Sequence, residues 1–225
     1  MSDKACLTNA ELEFTQRLQM HFPRGILSDE VLCKWNGCKA EIIAAQCLEA
    51  FGKFPEPEPK TEPLLELIGT VAIPATTKKF VASDHFVKDT GEKAKVKISY
   101  LGDNFKAKFL GKVEEPMAKT ILRYHKLRKG SVDEPILAEL GGQDKAETTL
   151  FQMLALMAEQ GNGEDGILLT NGYANIFYIR DINGVFWAVR CPWSGDVWYV
   201  RATSVGPPRG WHSGPQVFSR NSFES

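Results

Sequence analysis

Apolar positions recur at helical spacing in the first 50 or so residues and at every second residue in much of the remaining chain. Thr8-Asn9-Ala10-Glu11 is a capping box, and Leu7 and Leu12 flank it at hydrophobic-staple positions, which predicts a helix from Thr8 to about His21. Phe22-Pro23-Arg24-Gly25 ends it. A second, short helix is expected from Ser28, where Asp29 and Glu30 suit the positive end of the helix dipole, to Asn36-Gly37. The third is expected from about Cys38 to Phe51, with Ala40, Ile43, Ala44, Cys47 and Leu48 on one face and Gly52 as its stop. FPEPEPKTEP then reads as an extended linker. The expected organisation is a helical unit over 1–53, a Pro/Glu-rich linker over 54–63 and a β-rich module over 64–225.

Within that module, GTVAIP and KKFVAS predict short strands, and AKVKISYLGDNFKAKF (94–109) predicts a hairpin. DKAETTLFQMLALMAEQG is the one strong helical pattern, with Asp144 and Glu147 as its cap and Leu150, Met153, Leu154 and Met157 as its apolar stripe. GILLT, NIFYIR, VFWAVR and DVWYVRA then predict an antiparallel meander. Asn183-Gly184, read as a two-residue loop, sets Ile182 against Val185 and Arg180 against Trp187. Both faces of that hairpin are apolar, so the sheet should be covered on both sides. The expected fold class is α+β: a small N-terminal three-helix unit followed by a β-rich antiparallel module with one main packed helix.

The run from GTVAIPATTKKFV through KVKISYLGDNF, FLGKVEEP, LRYHKLRKGSVDEPILAELGG and KAETTL to LLTNGYANIFYIRD and QVFSRNS resembles a module of uncharacterised bacterial hypothetical proteins. It spans about residues 67–225. The resemblance implies one structural unit there and carries no activity, ligand or site.

Charge changes the picture most around residues 94–109. The chain has a net charge of −1, yet residues 78–130 hold 14 basic and 6 acidic side chains, and residues 131–165 hold 1 basic and 8 acidic. Folded as a hairpin, 94–109 pairs Tyr100 with Phe105, Ile98 with Ala107 and Val96 with Phe109. Its other face then carries Lys95, Lys97, Lys106 and Lys108, with Lys97 across from Lys108. Like charges in that position are mildly destabilising and favour an anionic neighbour. Three neighbours are open: water, the chain's own acidic segment 131–165, and a nucleic acid. For the last, Arg123, Lys126, Arg128 and Lys129, with His125 and Tyr124, could extend the patch. The helical pair 28–51 does not suit groove reading, since Lys39 is offset by Glu41 and Glu49.

Composition narrows the class. With 225 residues and 43% hydrophobic content the chain can bury a core, and its opening MSDKACLTNAELEF has no signal-peptide pattern. Five cysteines without paired spacing fit reduced thiols, so a cytoplasmic location with no membrane partner is expected. Cys33, Cys38, Cys47 and His21 lack structural-zinc spacing, and no metal or cofactor is expected. Ser83-Asp84-His85 cannot form a triad within itself, GNGED lacks the Lys and Ser or Thr of a phosphate loop, and NGYANIFY has no strained nucleophile. The sequence therefore points to a non-catalytic binding or interaction protein of unknown protein partner. Nucleic-acid binding through the basic hairpin is the alternative, and an enzyme of unrecognised class comes third.

Overall fold

The computed structural model describes residues 62–205 and 210–220. The expected three-helix unit, with Cys33, Cys38, Cys47 and His21, lies outside the described residues. Ten strands are described: β1 Leu65–Ile73, β2 Phe80–Val81, β3 Ile98–Leu101, β4 Val113–Glu114, β5 Thr120–Leu127, β6 Asn175–Arg180, β7 Phe186–Arg190, β8 Trp193–Ser194, β9 Val197–Ser204 and β10 Gln216–Arg220. Five helices are described: α1 Ala82–His85, α2 Asp103–Phe109, α3 Asp133–Glu139, α4 Gln143–Ala146 and α5 Leu150–Glu159.

The expected antiparallel module is corrected to a large mixed sheet. Its strands run in the order β1-β5-β10-β6-β7-β9-β3, with β8 beside β9 as the eighth, and β2 and β4 form a separate pair. β10 lies parallel to β6, and β3 parallel to β9. Local turn signals report only hairpins, whereas these two pairings join segments far apart in sequence, so the periodicity could not show them. GILLT forms no strand, KKFVAS gives the two-residue β2 followed by α1, and four short helices accompany the main one.

The 94–109 hairpin is also corrected: its second half is α2. Phe105 and Phe109 are four apart, a spacing shared by one face of a strand and one face of a helix, and seven residues do not separate the two periods. The discriminating residue is Ala107, which would join them on a strand face but is exposed here. Both phenylalanines are fully buried and stack with ring centroids 5.5 Å apart, while Asp103 and Lys106 pair at 2.7 Å across the first turn of the helix.

Around Asn183-Gly184 the register differs by one residue from the expected pairing. Arg180 pairs with Phe186 and Ile179 with Trp187, around a loop of Ile182, Asn183 and Gly184. Gly184 takes the left-handed conformation (φ 77°), and the Asp181 carboxylate accepts from the backbone N–H of Asn183 (2.8 Å) and Val185 (2.9 Å), so the side chain of Asp181 favours the three-residue loop. One face of the β6–β7 hairpin accordingly holds Phe177, Ile179 and Val189, and the other Ile176, Tyr178, Phe186 and Ala188.

Each face has its own core. On the first, α5 and α2 cover Phe177, Val189, Trp198, Val200 and Phe218. α5 starts later than Asp144: Thr149 and Gln152 form its capping box, and Glu114 accepts from the N–H groups of Leu150 and Phe151 at 2.9 Å each. On the second face, α3 and α4 cover the part of the sheet around β5, β10 and β6, burying Leu127, Ile136, Ile176, Tyr178 and Val217. No helix among the described residues is long and apolar enough to cross a membrane.

Candidate functional site

The second face changes character between β6 and β9. Strand alternation sends Trp198, Val200 and Ala202 of β9 into the first core, so Tyr199, Arg201 and Thr203 point the other way. On β7, Val189 enters the first core and Ala188 the second, and Arg190 follows on the Ala188 side. Arg190 and Arg201 are direct cross-strand partners. On this part of the face the apolar cover gives way to a polar groove. A cavity of about 440 Å³ is lined by Tyr100, Asn104, Arg190, Arg201 and Thr203 among others, and a second of about 100 Å³ shares Arg190 and Thr203 and reaches Trp211.

Aromatic rings accompany each cation. The Arg201 guanidinium lies 5.0 Å from the Tyr100 ring centroid and 5.9 Å from that of Tyr199, and the two rings are 6.2 Å apart. Lys88 Nζ lies 5.8 Å from the Tyr100 centroid, and the Arg190 guanidinium 5.7 Å from that of Trp211. Parallel pairing of β3 with β9 brings Tyr100 beside Tyr199, and the Asn104 amide donates to the Ala202 carbonyl at 3.2 Å, fixing the start of α2 at the groove. Asp103 lines the rim, where the ion pair with Lys106 lowers its pKa and raises that of the lysine.

Trp211 is held from behind. Its backbone exchanges hydrogen bonds with Ser131, and its indole N–H donates to Asp133 Oδ1 at 2.8 Å. The same oxygen accepts from the fully buried Tyr178 hydroxyl at 2.8 Å. Burial pushes the Asp133 carboxyl above its ordinary pKa, against the two hydrogen bonds, and burial next to Asp133 pushes the Tyr178 phenol up as well.

The cations singled out in the sequence are dispersed over several elements. Lys95 and Lys97 precede β3; Lys97 donates its N–H to the Gly161 carbonyl, and Glu164 is the charge it acts on. Lys106 and Lys108 are on α2, so Lys97 does not face Lys108 across a hairpin. Arg123 and Lys126 lie on opposite faces of β5 by strand alternation, with Lys126 in register with Glu66 and Gln216. Arg128 follows β5, donating its N–H to the Leu64 carbonyl, and Lys129 pairs with Glu62 at 3.3 Å. None of the eight lines either cavity, and Lys106 reaches the rim through its ion pair with Asp103.

Several carboxylates of the acidic segment are engaged elsewhere. Glu147 pairs with Arg180 (3.2 Å) and Arg220 (4.0 Å), Asp144 lies 3.7 Å from Arg180, and Glu139 accepts from the N–H groups of Leu64 and Leu65.

Sequence reasoning missed Arg190, Arg201, Tyr100, Tyr199, Thr203 and Trp211. A signal was present: Trp187-Ala188-Val189-Arg190 and Trp198-Tyr199-Val200-Arg201 repeat one pattern on two strands, and pairing them antiparallel brings the arginines together.

Chemically, the groove offers guanidinium, amide and hydroxyl donors with ring faces. Arginine keeps its proton and cannot act as a base, and the carboxylate at the rim is ion-paired. Cys191 is fully buried and its thiol pushed up by that burial, which keeps it in the unreactive form. Ser83, Asp84 and His85 sit in the single turn α1, with His85 stacked on Phe80 at 4.6 Å. Among the described residues no three His, Cys, Asp or Glu side chains gather where they could hold a metal ion. No protein-family model, curated protein or solved structure matches this chain.

Proposed function

We propose that the module is a non-catalytic binding protein that captures an anionic partner on the groove of Arg190 and Arg201. One observation carries the reading: the two arginines are direct cross-strand partners on one face. Two guanidiniums side by side offer N–H donors from which one anion can accept charge-assisted hydrogen bonds. Aromatic packing of both guanidiniums fixes them in advance, which lowers the ordering cost of binding.

The test is thermal unfolding of the full chain with and without inorganic pyrophosphate, heparin or poly-glutamate at low and high salt. At least one polyanion should raise the melting temperature of the wild type, less so at high salt, and Arg201→Gln should reduce that rise. If no polyanion shifts the wild type at low salt, the proposal fails.

A further inference from the structure

β1 is one end of the large sheet, and among the described residues it pairs with β5 alone. Glu139 accepts from the Leu65 N–H where the strand begins, and no described backbone group outside β5 bonds to residues 66–73. Edge strands are usually protected by lysine, proline or short length. β1 has nine residues, contains neither lysine nor proline, and carries a single charge at Glu66. Leu67 is 53% and Ile68 50% exposed, and Ile121 of β5, in register with Ala72, is 41% exposed. The strand at the other end, β3, has four residues, and Asp89 exchanges backbone hydrogen bonds with Ile98 beside it. Among the described residues β1 is therefore the one long open edge.

The pattern along this edge is complementary to itself. Ile68 is an extra residue between Leu67, which faces His125, and Gly69, which faces Tyr124. The β5 partners of Leu67, Thr70 and Ala72 alternate along an unbroken strand, which puts these three exposed residues on one face. An antiparallel copy of β1 with the two-fold axis at Thr70 sets Thr70 against Thr70 and Gly69 against Val71. With Ile68 again left out of the ladder, Leu67 falls opposite Ala72, twice. The small Ala72 leaves room between Leu67 of one copy and Ile121 of the other, and the two Glu66 carboxylates end about 20 Å apart. We propose that two copies of this protein join edge to edge through antiparallel β1 strands, forming one sheet across a two-fold axis. Pairing uses the same edge of both copies, so the assembly closes at two. The chain's own stretch 54–63, just before β1, has four prolines, which lack the N–H that a ladder needs. A charged peptide finds no counter-charge along 67–73. The contact is independent of the arginine groove, which lies on β7 and β9.

Sedimentation velocity of the full chain over a range of concentrations tests this. Wild type should sediment as a dimer. Leu67→Lys, at an exposed position, should keep the fold by circular dichroism and weaken dimerisation about 10- to 100-fold, since the change is made twice across the axis. Ala72→Glu alone should also weaken it. Combined with Leu67→Lys it should recover most of the lost affinity, because each introduced cation then meets the introduced anion of the other copy. Val185→Lys, at a side chain 52% exposed beside the β6–β7 loop, should have no effect. A wild type that stays monomeric at its highest soluble concentration overturns the proposal and leaves the edge to another partner or to the chain's own first residues. A dimer unaffected by Leu67→Lys, or a double variant no better than the singles, places the interface elsewhere and overturns it too.

Discussion

Asp133 is the residue whose replacement most directly tests how the second face is held together. Its Oδ1 accepts at 2.8 Å from both the Tyr178 hydroxyl and the Trp211 indole, and it is 4% exposed. Asp133→Ala leaves two donors without their acceptor. A buried donor stripped of its partner costs about 1–3 kcal/mol, and Tyr178 is fully buried while Trp211 is half-buried, so the sum is about 2–4 kcal/mol. Asp133→Asn keeps an acceptor oxygen and removes the penalty of a buried charge, so it should lie within about 1 kcal/mol of the wild type at neutral pH. The sign of the pH dependence comes from the raised pKa. A carboxyl that prefers its proton in the folded state adds stability below its ordinary value of 3.8, and loses that contribution as the pH rises through the raised folded value. Wild type should therefore lose stability relative to Asp133→Asn as the pH rises above about 4. Urea unfolding of the full chain at several pH values measures both effects. Equal destabilisation by Ala and Asn, or an Ala variant within about 0.5 kcal/mol of wild type, would refute the shared-acceptor account.

Gly161→Ala should be the most damaging small substitution, because its Cβ would sit 1.8 Å from the Lys95 carbonyl oxygen, a backbone atom; a loss of about 3 kcal/mol or failure to accumulate folded protein is expected in chemical denaturation. Thr149→Ala breaks the capping box of α5 and should cost about 1 kcal/mol in the same assay, with Glu114 still holding the next two N–H groups. His125 has its pKa lowered chiefly by burial, so its stabilising contribution is present above its ordinary 6.5 and is lost as the pH falls through the lower folded value. His125→Gln should flatten the fall in urea midpoint on acidification below about 6.5, and an unchanged profile would rule out His125 as its source.

The parts of this fold that were legible in the sequence are those set by residues close together in the chain. β6, β7 and β9 follow from alternation in NIFYIR, VFWAVR and DVWYVRA, and the apolar stripe of α5 follows from Leu150, Met153 and Met157. Errors came where two local signals coincide or where the partner is distant. Phe105 and Phe109 satisfy both strand and helix spacing, and the deciding contact is burial against a core assembled from Phe86, Ile98 and Val200. Asn-Gly marked the turn, but the pairing depends on the Asp181 carboxylate taking two N–H groups, which lengthens the loop by one residue. The site escaped for the same reason. Counting charges favours dense lysine runs, whereas the arginines that meet here are separated in sequence and joined by the antiparallel return of β9 on β7.

That contrast bears on which cations recognise a partner. A lysine on an exposed helix turn, such as Lys106 next to Asp103, gains from water and a local carboxylate what it would gain from a ligand, so its binding contribution is small. Arg190 and Arg201 are held by a sheet register and by rings, positions that water does not set. Their place side by side on one face follows from the strand pairing and not from a run of charge in the sequence. A cluster of this kind is read from strand pairing first and from charge second.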